Sequence, residues 1–247
     1  MPKKITASKN TNIEILKVVY IFGGKKILKF DTKAMKLQAV EKQPTVPIPE
    51  RTQCEYLRGI NKIATLGGNL NGKISKLGYL FDPTDFTKAQ NLPDFPVPIR
   101  YTTLAFYNGT LYSIGGDTDP SDAKEKENVM KEVYKLQITP EVGKAWEKVC
   151  DLPLKRRAAN VMVASDCIYV FGGYSGGGLR STQIDIVDLK TKTARTEVYR
   201  LPLGVEGARQ CWFGDDILLI GGKRLDDKND ANVLQVDFLK TAIMSLR

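Results

Sequence analysis

A short apolar run ending in Gly-Gly occurs five times along the chain. The copies are VVYIFGG, IATLGG, LYSIGG, IYVFGG and ILLIGG, with the first glycine of each pair at Gly23, Gly67, Gly115, Gly172 and Gly221. The steps between them are 44, 48, 57 and 49 residues, so nearly all of the 247-residue chain is repeat. A period in this range marks one supersecondary unit used several times, each copy burying its apolar face against the next. Beyond the glycines stands a second apolar run closed by a turn, as in ILKFDTK, GYLFDPT, QIDIVDLKTKT and VLQVDFLKT. Each unit therefore reads as four short strands. In the third unit they are expected at Tyr101 to Phe106, Thr110 to Ile114, Val133 to Ile138 and Ala145 to Val149. Asn108-Gly109 joins the first two, because both central positions of a tight hairpin turn favour positive φ.

Composition narrows the chemistry. The chain has no histidine, which removes His-based general bases, Ser-His-Asp and Cys-His nucleophile pairs, and His-ligated metals. Cys54, Cys150, Cys167 and Cys211 are widely spaced, with no short metal-ligand spacing, and read as reduced core thiols. No cofactor and no metal site is expected. Met1 to Asn10 forms a basic extension without the apolar stretch of a secretory signal, and no apolar run has the length of a membrane helix. A cytoplasmic location is expected. The net charge of +9 suits acidic partners. Without interleaved aromatic residues it does not argue for nucleic-acid binding.

Upstream of the glycines stands an arginine: Arg51, Arg100 and Arg157 lie about fifteen residues before their pairs, and Arg209 lies twelve before Gly221. Each is approached by a Pro-containing stretch, PTVPIPER, LPDFPVPIR, LPLKRR or LPLGVEGAR. The repeated Gly-Gly signature, the upstream arginines and the spaced Tyr134 and Trp146 make the chain resemble kelch-repeat β-propellers over residues 10 to 247. That resemblance implies an all-β, kelch-type propeller: residues 1–247 as one domain, about five blades, each of four antiparallel strands. The familiar relatives have six or seven blades, so five repeats imply a five-bladed ring or one completed by another segment. The termini are expected to meet between the first and fifth blades.

In such a meander the loops between strands 2 and 3 share a face with the links to the next blade. The loops on that face are long: Asn69 to Lys76, Asp117 to Glu132, Tyr174 to Thr182 and Lys223 to Asn232. The opposite face has tight turns. Long loops on a rigid frame are where function concentrates, and the long-loop face is also the more basic. The acidic loop after Asp117 is read as a surface insertion with some helix around Ala123 to Lys131. The Tyr174 to Arg180 stretch, YSGGGLR, lacks the ending and strand-to-helix setting of a phosphate loop.

The resemblance implies further that Arg51, Arg100, Arg157 and Arg209 line the mouth of a central channel, as arginines do in kelch proteins that capture acidic peptides. Their near-common offset puts equivalent side chains on successive blades. Arg180, Lys25 and Lys26 add charge on the same face. The expected function is a non-enzymatic scaffold or assembly subunit, with the cytoskeleton among its settings, that binds an acidic protein segment. The alternatives are a stand-alone substrate receptor of a ubiquitin ligase and a sugar mutarotase or epimerase on the same frame. The chain leaves the oligomeric state open.

Overall fold

The computed structural model describes residues 18–23, 26–118, 128–213, 216–224 and 236–239. Among them every regular element is a strand, and five principal sheets follow one another along the chain. Blade 1 contains β1 (Val18–Gly23), β2 (Lys26–Asp31) and β3 (Lys36–Ala39). Blade 2 contains β4 (Gln53–Leu57) and β5 (Lys62–Leu66), a small hairpin of β6 (Asn69–Leu70) and β7 (Lys73–Ile74), then β8 (Gly78–Asp82) and β9 (Asp85–Asn91). Blade 3 is β10 (Thr103–Tyr107), β11 (Thr110–Thr118), β12 (Asn128–Gln137) and β13 (Glu147–Asp151). Blade 4 is β14 (Asn160–Ala164), β15 (Cys167–Phe171), β16 (Gln183–Asp188) and β17 (Thr193–Arg200). In blade 5, β18 (Val205–Glu206) and β21 (Lys223–Arg224) pair beside a sheet of β19 (Arg209–Phe213), β20 (Asp216–Ile220) and β22 (Val236–Leu239).

Blades 2, 3 and 4 each form a four-stranded antiparallel meander, while blades 1 and 5 show three strands among the described residues. The expected fourth strand at Ala242 to Leu246 and the expected meeting of the termini lie outside the described residues. Asn108 and Gly109 both take positive φ, 46° and 75°, as the hairpin turn requires. Strand β12 starts at Asn128, so the helix expected around Ala123 to Lys131 is strand over its last four residues. Val129, Met130 and Val133 are buried there, and that burial outweighs the polar composition before them.

The apolar cores lie at the seams between blades. Leu66, Leu80 and Phe95 of blade 2 pack with Leu104, Leu111 and Trp146 of blade 3. Ala105 and Ile114 meet Val161, Ile168 and Val170 of blade 4. Phe171, Ile184 and Ile186 meet Leu201, Val205 and Leu219. Tyr20, Phe22 and Ile27 of blade 1 cover Phe81 and Phe86 of blade 2. Trp146 fixes one seam directionally: its Nε1 donates to Pro93 O at 3.1 Å and its ring meets Phe95 edge-on at 5.1 Å.

The Gly-Gly pairs join successive links. Gly68, Gly116 and Gly173 donate their N–H to Ile99 O, Arg156 O and Val205 O, at 2.8, 2.9 and 2.7 Å, each carbonyl belonging to the link into the following blade. Gly67 and Gly115 have φ of 64° and 56°, and a Cβ on either would collide with that carbonyl. The repeat signature exists because two backbones touch there.

Three of the four cysteines, Cys54, Cys150 and Cys167, are free thiols. Burial pushes Cys54 up to about 12 and Cys150 up to about 11, so both stay protonated and unreactive near neutrality. The side chain of Cys211 lies outside the described residues. No helix is long and apolar enough to cross a membrane among the described residues.

Candidate functional site at the long-loop face

Each link enters its blade through one bridge to the residue after the glycines. Glu50 pairs with Asn69, Arg100 with Asp117, Arg157 with Tyr174, and Glu206 with Lys223. These bridges set the register of the mouth, and they correct the expectation of four equivalent arginines. Arg100 and Arg157 are equivalent. Their counterparts in blades 2 and 5 are Glu50 and Glu206. Arg51 sits one residue later, at the place of Tyr101, Ala158 and Gly207. Arg209 begins an inner strand, at the place of Gln53, Thr103 and Asn160. A ring of four like cations would repel; the described positions instead set the adjacent pair Arg100 and Arg157 between Glu50 and Glu206.

The place of Arg51 carries its own backbone signature. Arg51, Tyr101, Ala158 and Gly207 all take left-handed φ, at 58°, 53°, 48° and 68°. There the chain turns into the inner strand, and the links bond to one another: Ala158 N donates to Tyr101 O at 2.7 Å and Gly207 N to Ala158 O at 2.8 Å. Non-glycine residues hold that conformation only where the surroundings impose it.

Three of the expected arginines converge on Tyr101. Arg51 Nη1 donates to its hydroxyl at 2.9 Å, and the guanidinium carbons of Arg100 and Arg157 lie 5.6 and 5.5 Å from its ring centre. Arg157 also lies over Tyr174 at 4.4 Å. Asp117, with its side chain 1% exposed, accepts from Arg157 Nη1 at 2.6 Å and from Arg100 Nε and Nη2 at 3.3 Å, all through Oδ2. Its Oδ1 is buried without a hydrogen-bond partner among the described residues. Among the described residues, Asp117 is the carboxylate that pairs with Arg100 and Arg157 here. Cation–π stacking and ion pairing hold the guanidinium planes in fixed orientations.

The other expected residues stand apart. Arg180 bonds Glu206 Oε1 at 3.1 Å, pinning the blade 4 loop to the following link. Arg209 is exposed and its charge reaches Cys54 and Glu55 of blade 2. Burial pushes the Glu55 carboxyl up to about 7, with Arg58 and Arg209 pulling against it. Lys26 is exposed on blade 1, and Lys25 lies outside the described residues. Asp117, Tyr101 and Tyr174 went unrecognised in the sequence because no repeat marks their side chains. Aligning units on the residue after Gly-Gly, rather than on the arginines, would have found Asp117 and Tyr174. No group of three metal-ligating side chains occurs among the described residues.

Stacked antiparallel four-stranded sheets in sequence order define a β-propeller. No protein-family model matches the chain. A solved structure titled "Structure of YjhT" superposes with a TM-score of 0.65 over 83% of this chain and 70% of that one, at 18% identity, a likeness of fold. Alpha-scruin and beta-scruin of Limulus polyphemus are each 23% identical, over 83% and 88% of this chain and 23% and 25% of their own. An N-acetylneuraminate epimerase of Yersinia enterocolitica is 30% identical over 145 residues, 56% of this chain and 34% of the relative. The chain thus spans about a quarter to a third of these relatives. With the Gly-Gly repeat and these likenesses, it is a kelch-type β-propeller.

Proposed function

We propose that this propeller is a non-enzymatic interaction module whose long-loop face binds an acidic protein segment at the cluster of Arg51, Arg100 and Arg157. The observation that carries the reading is the convergence of these three guanidiniums on Tyr101, two of them held in place by the buried Asp117. Arg157 is the anchor, held between two tyrosine rings and a buried carboxylate, and Arg51 is the exposed rim. On this reading the chain is a cytoplasmic scaffold or assembly subunit, and the likeness to the scruins supports a protein-binding role.

The test recovers partners by pulldown with the whole chain, then measures binding to folded single variants. Arg157→Ala is expected to cost roughly 2 to 5 kcal/mol, because it removes a fork and leaves the buried Asp117 charge to the longer contacts of Arg100 alone. Arg51→Ala is expected to cost under about 1 kcal/mol. Equal, unchanged affinities in both would move the site elsewhere. A ubiquitin ligase among the recovered proteins would favour a receptor over a scaffold.

The epimerase relative supports a second reading, in which the same cations hold the carboxylate of a sugar acid. Epimerisation of N-acetylneuraminate by the purified chain, followed by proton NMR, would establish it and displace the first.

A further inference from the structure

Of the four residues that turn the chain into its inner strands, Arg51, Tyr101, Ala158 and Gly207, Tyr101 is the aromatic one. A bulky side chain at a φ of 53° is an outlier that only its surroundings can hold. Here the backbone is fixed on both sides. Arg100 and Asp117 exchange both backbone bonds, at 2.9 and 2.8 Å, and Tyr101 O accepts from Ala158 N at 2.7 Å. Next along the chain, Thr102 Oγ1 lies 2.7 Å from Ser113 Oγ and 3.2 Å from Ile114 O, in buried contacts. Blades 4 and 5 make the same turn with alanine and glycine, so the fold itself has no need of a ring there. Strained backbone of this kind clusters where a ligand is held.

What this turn aims is a hydroxyl. A guanidinium only donates, so in the 2.9 Å bond from Arg51 Nη1 the phenol oxygen of Tyr101 accepts and its own proton points elsewhere. That proton meets no acceptor among the described residues. Tyr174 is placed differently: it is buried, its ring carries Arg157, and its hydroxyl accepts the Gly178 N–H at 3.1 Å within its own loop. Tyr101 is partly exposed, which leaves its hydroxyl within reach of a partner. We propose that Tyr101 is a binding residue in its own right, donating its hydroxyl proton to a carboxylate side chain of the partner. The inference rests on the acidic-segment reading above and names the atom that receives the acid. Guanidiniums at the hydroxyl and beside the ring favour an anion as the acceptor over a neutral carbonyl. A hydroxyl bonded to a carboxylate is also among the stronger hydrogen bonds.

The probes are two labelled synthetic peptides, glycine-serine chains carrying spaced glutamates or, in the twin, glutamines, titrated with the whole chain by fluorescence anisotropy. The glutamate peptide is expected to bind and the glutamine peptide to fail. Tyr101→Phe keeps the ring beside Arg100 and Arg157 and removes only the hydroxyl. It is expected to weaken binding of the glutamate peptide roughly tenfold, the worth of one hydrogen bond to a charged group. Tyr101→Ala, which installs the residue that blade 4 holds at this place, is expected to lose at least as much. Binding should also perturb the tyrosine absorbance of the parent chain, with that signal reduced in Tyr101→Phe; a purely structural hydroxyl would leave it unchanged. If Arg157→Ala weakens binding while Tyr101→Phe matches the parent in affinity and in difference spectrum, the inference is overturned and the acidic-segment reading stands. Equal binding of the two peptides, binding of neither, or unchanged affinity in Arg157→Ala overturns that reading and the inference with it.

Discussion

Ala158 holds a left-handed φ of 48° at a place where blade 5 has Gly207. An L residue there gives up roughly 1 to 2 kcal/mol that glycine does not, against the extra unfolded-chain entropy of glycine, up to about 1 kcal/mol. Ala158→Gly is therefore expected to be neutral to slightly stabilising in chemical denaturation, with the bond from Ala158 N to Tyr101 O kept. Gly115→Ala, where the new Cβ meets Arg156 O, is expected to destabilise by several kcal/mol or prevent folding. A loss in both variants would mean that the left-handed geometry at the mouth is not shared between blades. Tyr101 holds the same conformation and still presents its ring to two guanidiniums, so conformational cost coincides with the proposed binding cluster.

Among the elements, blades were legible and their charges were not. Alternating apolar residues and Gly-Gly pairs report on seams, which every blade must build, and so the meanders of blades 2, 3 and 4 follow from sequence alone. Side chains at the mouth answer to one neighbour each. Arg156 and Arg157 are adjacent in sequence and do opposite things. Arg157 turns to the mouth, while Arg156, fully buried, staples the link to blade 4 by pairing with the buried Asp185 and donating to Gly172 O and Gln183 O at 3.0 and 3.1 Å. Asp185 also accepts from Gln183 Nε2 at 2.8 Å and Thr196 Oγ1 at 2.9 Å. The equivalent places hold apolar Ile99 and Val205, which no pattern of arginines reveals. Breaking one side of a buried pair strands a charge. Arg156→Met alone is expected to cost about 3 to 5 kcal/mol, and adding Asp185→Leu to recover part of it. Additive losses in a double-mutant cycle, by urea denaturation, would show that the two do not act as a pair.

At the scale of the whole molecule, the charge of Arg209 in blade 5 reaches Glu55 in blade 2, so the arc curls enough to bring these two side chains within electrostatic range. This makes one titration a gauge of the curl. Burial raises the folded pKa of Glu55 from 4.5 to about 7, and folding therefore favours its protonated form. Its contribution is complete below about pH 4.5 and is lost as pH rises through 7, by at most about 3 kcal/mol for a residue that keeps some solvent contact. Carboxylates held low, such as Asp82 beside Lys62 and Asp151 beside Lys148, act in the opposite sense: their contribution is present above the ordinary carboxylate value and lost as pH falls. The two windows separate, so the difference in stability between the parent chain and Glu55→Gln, followed from pH 4 to 8, isolates Glu55. The parent is expected to lose stability relative to the variant across that range. Arg209 pulls the Glu55 pKa down, so Arg209→Ala should move the midpoint of the loss to higher pH. A midpoint indifferent to Arg209 would mean that blades 2 and 5 do not approach one another at the axis.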